Sequence, residues 1–228
     1  MTETSKRLAA LTGLFTVLMS LPWLVPHCGW CALVGLVPLL EMDRIAREQK
    51  ARHFWWWYYG AFVLWNAVTT FWVCNATVGG GIAAVLANAL QMAVIFALYR
   101  AGRKSLGAGA GMVFLAVMWI AWERFYFDAE ISWPWLVLGN AFARSTHLVQ
   151  WYEYTGTLGG SLWIWLCNIS LYAIIDSVRS GKVARNKALG PLLALCGYTA
   201  LVCVPIICSL NIYRGYQEDR SESIDVTV

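Results

Sequence analysis

The sequence predicts an all-α membrane protein, a polytopic helical bundle of about seven transmembrane segments. Composition is the first reason. Of 228 residues, 59% are hydrophobic and 13% are charged, whereas about a quarter of the residues in a soluble domain are charged. Seven apolar stretches are the second reason, and the third is the way basic residues alternate between them. Because lipid offers no partner to open backbone groups, the apolar stretches are expected to be helices.

The apolar stretches cover residues 8–25, 29–40, 54–73, 82–99, 108–127, about 162–178 and 188–209. Most are long enough, at about 1.5 Å per residue, to cross or nearly cross ~30 Å of hydrocarbon. The second stretch is short, and such stretches are often re-entrant or interfacial. Its depth does not change the topology. If the first two stretches form a shallow hairpin instead of crossing the membrane twice, the chain still returns to the side from which it started.

Lysine and arginine fill every second gap between these stretches, which orients the chain. Thirteen of the 17 lie on one side, and the other side holds only Arg124, Arg144, Arg214 and Arg220. Short loops rich in Lys and Arg stay cytoplasmic, so we expect a cytoplasmic N-terminus and an exoplasmic C-terminus. The net charge of +4 follows from this topology and from contact with anionic membrane lipid. We expect no nucleic-acid partner.

The end of the sequence differs in composition from the rest. After residue 210 the chain becomes polar, and its last five residues, Ile-Asp-Val-Thr-Val, alternate apolar and polar as in a half-buried strand. An isolated strand is not stable. We therefore predict a transmembrane domain at 1–210 and the start of a second, soluble exoplasmic domain at 211–228.

Two of the seven cysteines form a Cys-x-x-Cys motif, Cys28-Gly-Trp-Cys31. Such a motif can be a redox pair or half of a metal site. No βαβ pattern, which would accompany a thioredoxin-like redox motif, surrounds it here. A metal site would need a second pair of ligands, and the sequence offers only His27 beside the motif. We interpret the pair as two small residues at a helix start and expect no metal and no cofactor. A membrane thiol oxidoreductase that uses Cys28 and Cys31 is kept as an alternative.

Polar side chains within apolar segments are costly in lipid and need a reason. Asn66, Asn88, Gln91 and Asn168 are predicted to bridge helices rather than contact a substrate. Glu123, near the end of the fifth segment, is predicted to be an interfacial charge that snorkels to the headgroup layer.

The long exoplasmic loop at 128–160 gives the most specific signal. It is rich in aromatic residues, and long ordered loops usually carry function or cover a site. Pro134 bars a regular helix, while Trp133 and Trp135 suit the membrane interface. An aromatic belt followed by a turn would explain these residue types but not their order.

That order resembles the apolipoprotein N-acyltransferases, and the resemblance spans essentially the whole chain as the membrane part that precedes the family's catalytic domain. The Leu36-Val37-Pro38-Leu39-Leu40 run looks like the family's second helix. The other matching residues are Glu123, Trp133-Pro134-Trp135, Leu138-Gly139, Gln150, Gly156, Gly159-Gly160-Ser161 and Asn168. The resemblance implies an enzyme of the bacterial inner membrane, in lipoprotein biosynthesis. Its acyl donor is a phospholipid, typically phosphatidylethanolamine, and its acceptor is the N-terminal diacylglyceryl cysteine of a lipoprotein.

The family's chemistry uses a Glu–Lys–Cys triad in a periplasmic nitrilase-like domain. The Cys thiolate takes the acyl chain as a thioester, and the thioester then acylates the α-amine of the acceptor. None of the seven cysteines here matches that nucleophile. By the resemblance, 211–228 begins a truncated nitrilase-like domain. We therefore expect no catalytic residue in this chain and no activity from it alone.

From its length and aromatic content, we hypothesise that the 128–160 loop forms part of the wall of a lipid-accessible cleft under the soluble domain. The candidate cleft or family-motif residues are Glu123, Trp133, Pro134, Trp135, Gly139, Gln150, Gly156 and Asn168. The alternative is a non-enzymatic polytopic protein, either a small transporter or a membrane subunit that binds a partner. A transporter should show internal repeats or broken helices with polar groups near the midplane. The sequence has no clear repeat.

Overall fold

The computed structural model describes residues 2–130, 133–181 and 189–216, which form α-helices and short 3-10 turns without a β-strand. The helices are α1 (Glu3–Leu24), α2 (Ala32–Gly35), α3 (Val37–Glu48), α4 (Phe54–Thr70), α5 (Val78–Phe127), α6 (Tyr152–Arg179) and α7 (Leu189–Gly215). Four of them, α1, α5, α6 and α7, are long and apolar enough to cross a membrane. The prediction of an all-α membrane fold is confirmed.

The 50 residues of α5 form a hairpin of two helical arms. Gly107 interrupts the helix with φ 81° and ψ −175°, a conformation that is essentially restricted to glycine. Across this turn, Trp122 Nε1 donates to Gln91 Oε1 at 3.0 Å. Further pairs across the turn are Tyr99 with Met112 and Gly102 with Phe114. The arms are therefore antiparallel, and they correspond to the predicted fourth and fifth segments, 82–99 and 108–127.

The second predicted segment, 29–40, is longer in the structure than the sequence suggested. Thr12 Oγ1 of α1 donates to Met42 Sδ of α3 at 3.8 Å, and Arg7 shares a cavity wall with Glu48. α2 and α3 thus run antiparallel to α1 along most of its length. The apolar pattern stops at residue 40, but the helix continues to Glu48 because its charged residues pair with one another beyond the apolar layer.

An aromatic core joins α1, α4, α5 and α6. Its side chains meet mostly edge-to-face, for example Phe15 with Trp65 at 6.0 Å and Trp119 with Trp165 at 5.5 Å between ring centroids. Such pairs stabilise helix contacts beyond simple burial, which matters because lipid provides no hydrophobic driving force between helices. Tryptophan is therefore a core residue here, and it also stays exposed at some positions, as at Trp56 and at Trp135, for which the sequence predicted an interfacial position.

The two ends of the bundle differ sharply in charge. The start of α1, the end of α3, the turn of the α5 hairpin and the end of α6 meet at one end, called here the basic end. Its ion pairs include Arg44–Glu41, Arg47–Asp43, Arg100–Asp43 and Arg179–Glu41. The segment between α5 and α6 lies at the opposite end, called the loop end. The alternation of basic gaps along the sequence thus appears in space as one cationic end.

The predicted loop at 128–160 is shorter in the structure, because α6 begins at Tyr152 and not near residue 162. The segment before it folds into three 3-10 turns, Pro134–Leu136, Leu138–Phe142 and Thr146–Leu148. α6 contains one break, at Gly156 with φ 65° and ψ −177°. The glycine-rich sequence around this break hides the early helix start, which is fixed by packing against the 3-10 turns.

α7 is attached along one side only. Trp163 Nε1 donates to the Leu201 carbonyl at 2.8 Å, and the Trp151 N–H reaches Ser209 Oγ at 3.5 Å. The helix brings its C-terminal end to the loop end, opposite the start of α1. It continues to Gly215, past the predicted domain boundary at 210. Most of the predicted 211–228 segment, from 217 onward, lies outside the described residues.

Candidate functional site

Glu123 is a buried anchor for the loop end. Its side chain is 1% exposed, and Oε1 accepts hydrogen bonds from Trp119 Nε1 at 3.0 Å and from the Leu138 backbone N–H at 2.9 Å. The carboxylate therefore ties the second arm of α5 to the second 3-10 turn. The expectation of an interfacial, snorkelling charge is wrong, because the 3-10 turns cover the end of α5 and exclude the headgroup layer from this side chain.

Gly139 is fixed by three contacts with α6. Its N–H donates to Ser161 Oγ at 3.0 Å, and its carbonyl accepts from the Tyr152 hydroxyl at 3.0 Å. A β-carbon on Gly139 would lie 2.0 Å from the Thr157 carbonyl oxygen, so no other residue fits. Close approach of two backbones is one of the uses of glycine. Sequence reasoning included the Gly159-Gly160-Ser161 motif but assigned no role to Tyr152 or Thr157.

The Trp-Pro-Trp motif lies on the surface of the loop end. Pro134 begins a 3-10 turn, and its carbonyl accepts from Asn140 Nδ2 at 2.9 Å. Trp135 is 53% exposed. Its carbonyl accepts from Trp23 Nε1 at 2.8 Å, and its ring lies edge-on to Trp72 at 5.3 Å. The motif therefore fastens the loop end to α1 and to the 3-10 turn Phe71–Asn75, which follows α4. The Trp135 indole stays open to the membrane interface.

Trp133, Gln150 and Gly156 complete the predicted set at this end. Trp133 is half-buried, and its Nε1 has no hydrogen-bond partner among the described residues. Gln150 Nε2 donates to the Thr146 carbonyl at 2.9 Å, closing the last 3-10 turn. Gly156 supplies the left-handed conformation at the break in α6. The structure thus brings seven of the eight predicted residues to one end of the bundle.

Asn168 lies apart from the other seven, beside the junction of α2 and α3. Its Oδ1 accepts from the backbone N–H groups of Leu36 and Val37 at 2.8 and 3.1 Å, and its Nδ2 donates to the Ala32 carbonyl at 2.8 Å. The side chain replaces backbone bonds that are lost where one helix stops and the next begins. Its observed role is to hold a helix junction, as predicted for the apolar-segment amides.

The other buried amides also bridge helices, as predicted. Asn88 Nδ2 donates to Asn66 Oδ1 at 2.6 Å between α5 and α4, and Gln91 joins the two arms of α5 through Trp122. Both polar atoms of Asn66 are hydrogen-bonded, whereas Asn88 Oδ1 is buried and has no hydrogen-bond partner among the described residues. Cys28 and Cys31 are half-buried free thiols. Within the described residues, no group of three His, Cys, Asp or Glu could hold a metal ion.

Two apolar grooves lie on the membrane-facing side near the loop end. One, of about 230 Å³, is lined by α1 and α4 through residues that include Leu24 and Val68. The second, of about 330 Å³, lies between α4 and α5 and includes Phe71 and Cys74. Both are lined almost entirely by apolar side chains. Their size and chemistry suit acyl chains, and Trp72 and Trp135 stand at the interface beside them.

Comparison with known proteins identifies the family. The family model described as "Apolipoprotein N-acyltransferase N-terminal domain" matches residues 9–170. A curated relative, the apolipoprotein N-acyltransferase of Chlorobaculum tepidum, is 25% identical over 214 residues, which are 94% of this chain and 38% of that protein. No solved structure matches the chain. The chain therefore belongs to the apolipoprotein N-acyltransferase N-terminal domain family.

Proposed function

We propose that this chain is the membrane domain of an apolipoprotein N-acyltransferase of the bacterial inner membrane. The reaction would transfer an acyl chain from a phospholipid, phosphatidylethanolamine, to the N-terminal diacylglyceryl cysteine of a lipoprotein. Family membership supports this proposal, since the matched relative carries that enzyme name. The separation of a basic end from a loop end supports the orientation, with the basic end in the cytoplasm and the loop end facing the periplasm.

The chain spans 38% of the length of its curated relative, so we assign it the scaffold and not the thiol chemistry. The four cysteines of α6 and α7 are poorly suited to act as the acyl-carrying nucleophile. Cys167 is fully buried in the aromatic core, and Cys196, Cys203 and Cys208 lie along α7. A nucleophilic thiol requires an adjacent base or a cationic neighbour that favours the thiolate. We propose that the nucleophilic thiol belongs to the catalytic domain of the family and not to the membrane helices described here.

The scaffold's task in this proposal is to present a lipid to the periplasmic side. The observation that carries this proposal is that the loop end combines firmly anchored 3-10 turns with an exposed tryptophan next to two apolar grooves. Glu123 and Gly139 hold the 3-10 turns rigidly against α5 and α6, while the exposed Trp135 stands beside the two apolar grooves. A phospholipid could lay its acyl chains in these grooves with its ester at the level of the tryptophans. Trp133 and Pro134 would form the adjoining wall.

Photo-crosslinking in membranes tests this arrangement. The chain is reconstituted in nanodiscs that contain phosphatidylethanolamine with a photoreactive group close to the ester of one acyl chain. We expect labels concentrated on 20–25, 67–74 and 133–136, above the level on the lipid-exposed face of α7. Labels spread evenly over α7 and the grooves would contradict the cleft.

Variants and an activity assay complete the test. Trp135→Ala should reduce labelling of the grooves, whereas Trp56→Ala, which removes an exposed tryptophan near the basic end, should not. The same nanodiscs, supplied with a diacylated lipopeptide, should give no triacylated product from this chain alone. Formation of that product would overturn the assignment of the thiol chemistry to residues elsewhere.

A further inference from the structure

A cavity with a cationic lining lies at the basic end, far from the loop end, and is distinct from the one that Arg7 and Glu48 line. It has a volume of about 430 Å³ and lies between the end of α3, the face of α4 and the last turns of the first arm of α5. Four basic side chains line it, with two small residues between them: Arg47, Arg100, Arg103 and Lys104, with Ala97 and Ala101. The cavity is large enough for a headgroup-sized ligand.

The charges around this cavity do not balance. Asp43 is fully buried and accepts from Arg47 Nε at 2.9 Å and from Arg100 Nε at 2.7 Å. Arg103 donates to a neutral group, the Tyr99 hydroxyl, at 3.0 Å. Within the described parts of the chain, no carboxylate lies within ion-pair distance of Arg103 or Lys104. Two of the four basic side chains that line the cavity pair with Asp43. Counting these described side chains alone, four positive charges face one carboxylate, which leaves an excess of three positive charges.

The guanidinium groups are oriented before any ligand arrives. Asp43 binds Arg47 and Arg100 through Nε, and no carboxylate among the described residues accepts from their Nη groups. The Arg100 guanidinium also lies over the Phe54 ring, 4.6 Å from its centroid. Guanidinium Nη pairs bind phosphate oxygens in a bidentate manner. Asp43 therefore fixes two such donors at a cavity that has the size and charge for a phosphate group.

An apolar stripe leads from this cavity down the membrane-facing side of α5. Leu90, Val94 and Leu98 are 46%, 44% and 44% exposed, and they follow one another at four-residue spacing on one helix face. At the basic end, the small side chains of Ala97 and Ala101 line the cavity and leave it open toward this face. A phosphate in the cavity and acyl chains along the stripe would match a single phospholipid molecule. A free phosphate would use only the first of these two features.

We propose that the cavity at the basic end binds the phosphate group of an anionic phospholipid, with the acyl chains of that lipid along Leu90, Val94 and Leu98. Basic pockets between membrane helices on the cytoplasmic side are known binding places for anionic headgroups. The site is separate from the proposed acyl-transfer cleft and does not depend on it. Its role would be to hold one lipid of the cytoplasmic leaflet against the turn of the α5 hairpin.

Native mass spectrometry of the full chain in a neutral detergent tests this proposal. Phosphatidylglycerol should bind saturably and at least tenfold more tightly than phosphatidylcholine. Arg103→Gln combined with Lys104→Gln should weaken that binding at least tenfold. Lys6→Gln with Arg52→Gln, two exposed cations at the same end and outside the cavity, is the matched control and should change it less than twofold. Equal weakening by both pairs would show diffuse charge attraction and overturn the site.

Two further arms fix the location and the ligand. Ala101→Phe fills the cavity without changing its charge, and it should weaken phosphatidylglycerol binding at least fivefold while the thermal midpoint stays at the wild-type value. This variant decides the matter even if the charge variant fails to fold, and wild-type affinity in it would overturn the proposal. Inorganic phosphate and glycerol phosphate should not displace the lipid at equal concentration. Displacement by either would show a phosphate site and not a lipid site.

Discussion

The carbonyl oxygen of Thr157 lies where a side chain on Gly139 would begin, 2.0 Å from an ideal β-carbon. The φ angle of Gly139 is not in the left-handed region, so the requirement for glycine here is purely one of space. The backbones of the second 3-10 turn and of the start of α6 touch at this point, and the loop end owes its compactness to that contact.

Gly139→Ala should therefore loosen the loop end. The methyl group meets backbone rather than a flexible side chain, so the turn must move, at a cost of about 1–3 kcal/mol in the free energy of unfolding. The thermal midpoint in detergent measures this loss, and limited proteolysis between 133 and 151 should become faster. Gly197→Ala, at a helical position with open space around it, is the control. Because alanine favours a helix more than glycine does, this variant should neither lower the midpoint nor speed proteolysis. An unaltered midpoint in Gly139→Ala would contradict the steric argument.

The role of Glu123 as a hydrogen-bond acceptor can be tested with two replacements of similar volume, one that keeps an acceptor oxygen and one that does not. Glu123→Gln keeps an oxygen that can accept from the Leu138 N–H and should stay near wild-type stability. Glu123→Leu has similar volume but leaves that buried N–H without a partner, which costs about 1–3 kcal/mol. Chemical denaturation monitored by tryptophan fluorescence gives both values. Glu153→Leu, at an exposed position, is the control, and equal loss in Gln and Leu variants at 123 would argue against the acceptor role.

Loss of the Asn168 side chain should destabilise the junction of α2 and α3 more than α6, the helix that carries it. Asn168→Leu leaves the Leu36 and Val37 N–H groups unpaired inside the bundle, with a cost of about 1–3 kcal/mol for each unsatisfied group. Hydrogen exchange of the backbone amides at 32–40, in α2 and α3, should accelerate more than exchange in α6, which carries Asn168. Asn75→Leu, at an exposed position, should not change it. Acceleration confined to α6 would show that the junction of α2 and α3 does not depend on this amide.

The basic end should lose stability in acid. Burial raises the pKa of Glu41, but the hydrogen bonds and charges of Arg44 and Arg179 outweigh it, and the pKa is lowered from 4.5. A lowered folded-state pKa contributes stability above the ordinary value, and that contribution disappears as the pH falls through the folded-state value. The thermal midpoint should therefore be steady from pH 7 to about pH 5 and fall below about pH 4.5.

Glu41→Gln should reduce the midpoint at neutral pH and flatten its fall in acid. Glu3→Gln removes the carboxylate of an exposed pair with Arg7, whose side chains are 70% and 66% exposed, and such pairs contribute about 0–1 kcal/mol. Glu3→Gln should therefore follow the wild-type curve. An acid profile of Glu41→Gln that also matches wild type would mean that this carboxylate does not report on the ion pairs at the basic end.

Periodicity and composition predicted the helices well wherever the apolar layer ends at a turn residue. The α5 hairpin is an example, because Gly107 lies between two apolar runs and the predicted bounds 82–99 and 108–127 fall within its two arms. α3 is the opposite case. Its charged residues ended the apolar pattern at residue 40, but they pair with each other and let the helix continue to Glu48. The length of an apolar stretch indicates how much of a helix lies in lipid, and it does not indicate where the helix ends.

The candidate site was predicted as a set of residues but not as an arrangement. The order from Glu123 through Trp133-Pro134-Trp135 to Gly159-Gly160-Ser161 selected residues that lie together at one end of the bundle. It could not show that Glu123 is buried, because burial depends on the 3-10 turns that cover it. It also could not indicate Tyr152 and Thr157, whose contacts with Gly139 exist only once α6 has started early and packed against the turn.

The sequence by itself determined the solvent, the helical class and the separation of a basic end from a loop end, since hydropathy and charge act residue by residue along the chain. Only the tertiary structure decided which polar groups meet. It buried Glu123, placed Asn168 at a helix junction and paired Asp43 with two of the four basic side chains that line the cavity at the basic end. These outcomes depend on distances between segments that are far apart in the chain, and such distances are fixed by packing and hydrogen bonding rather than by local pattern.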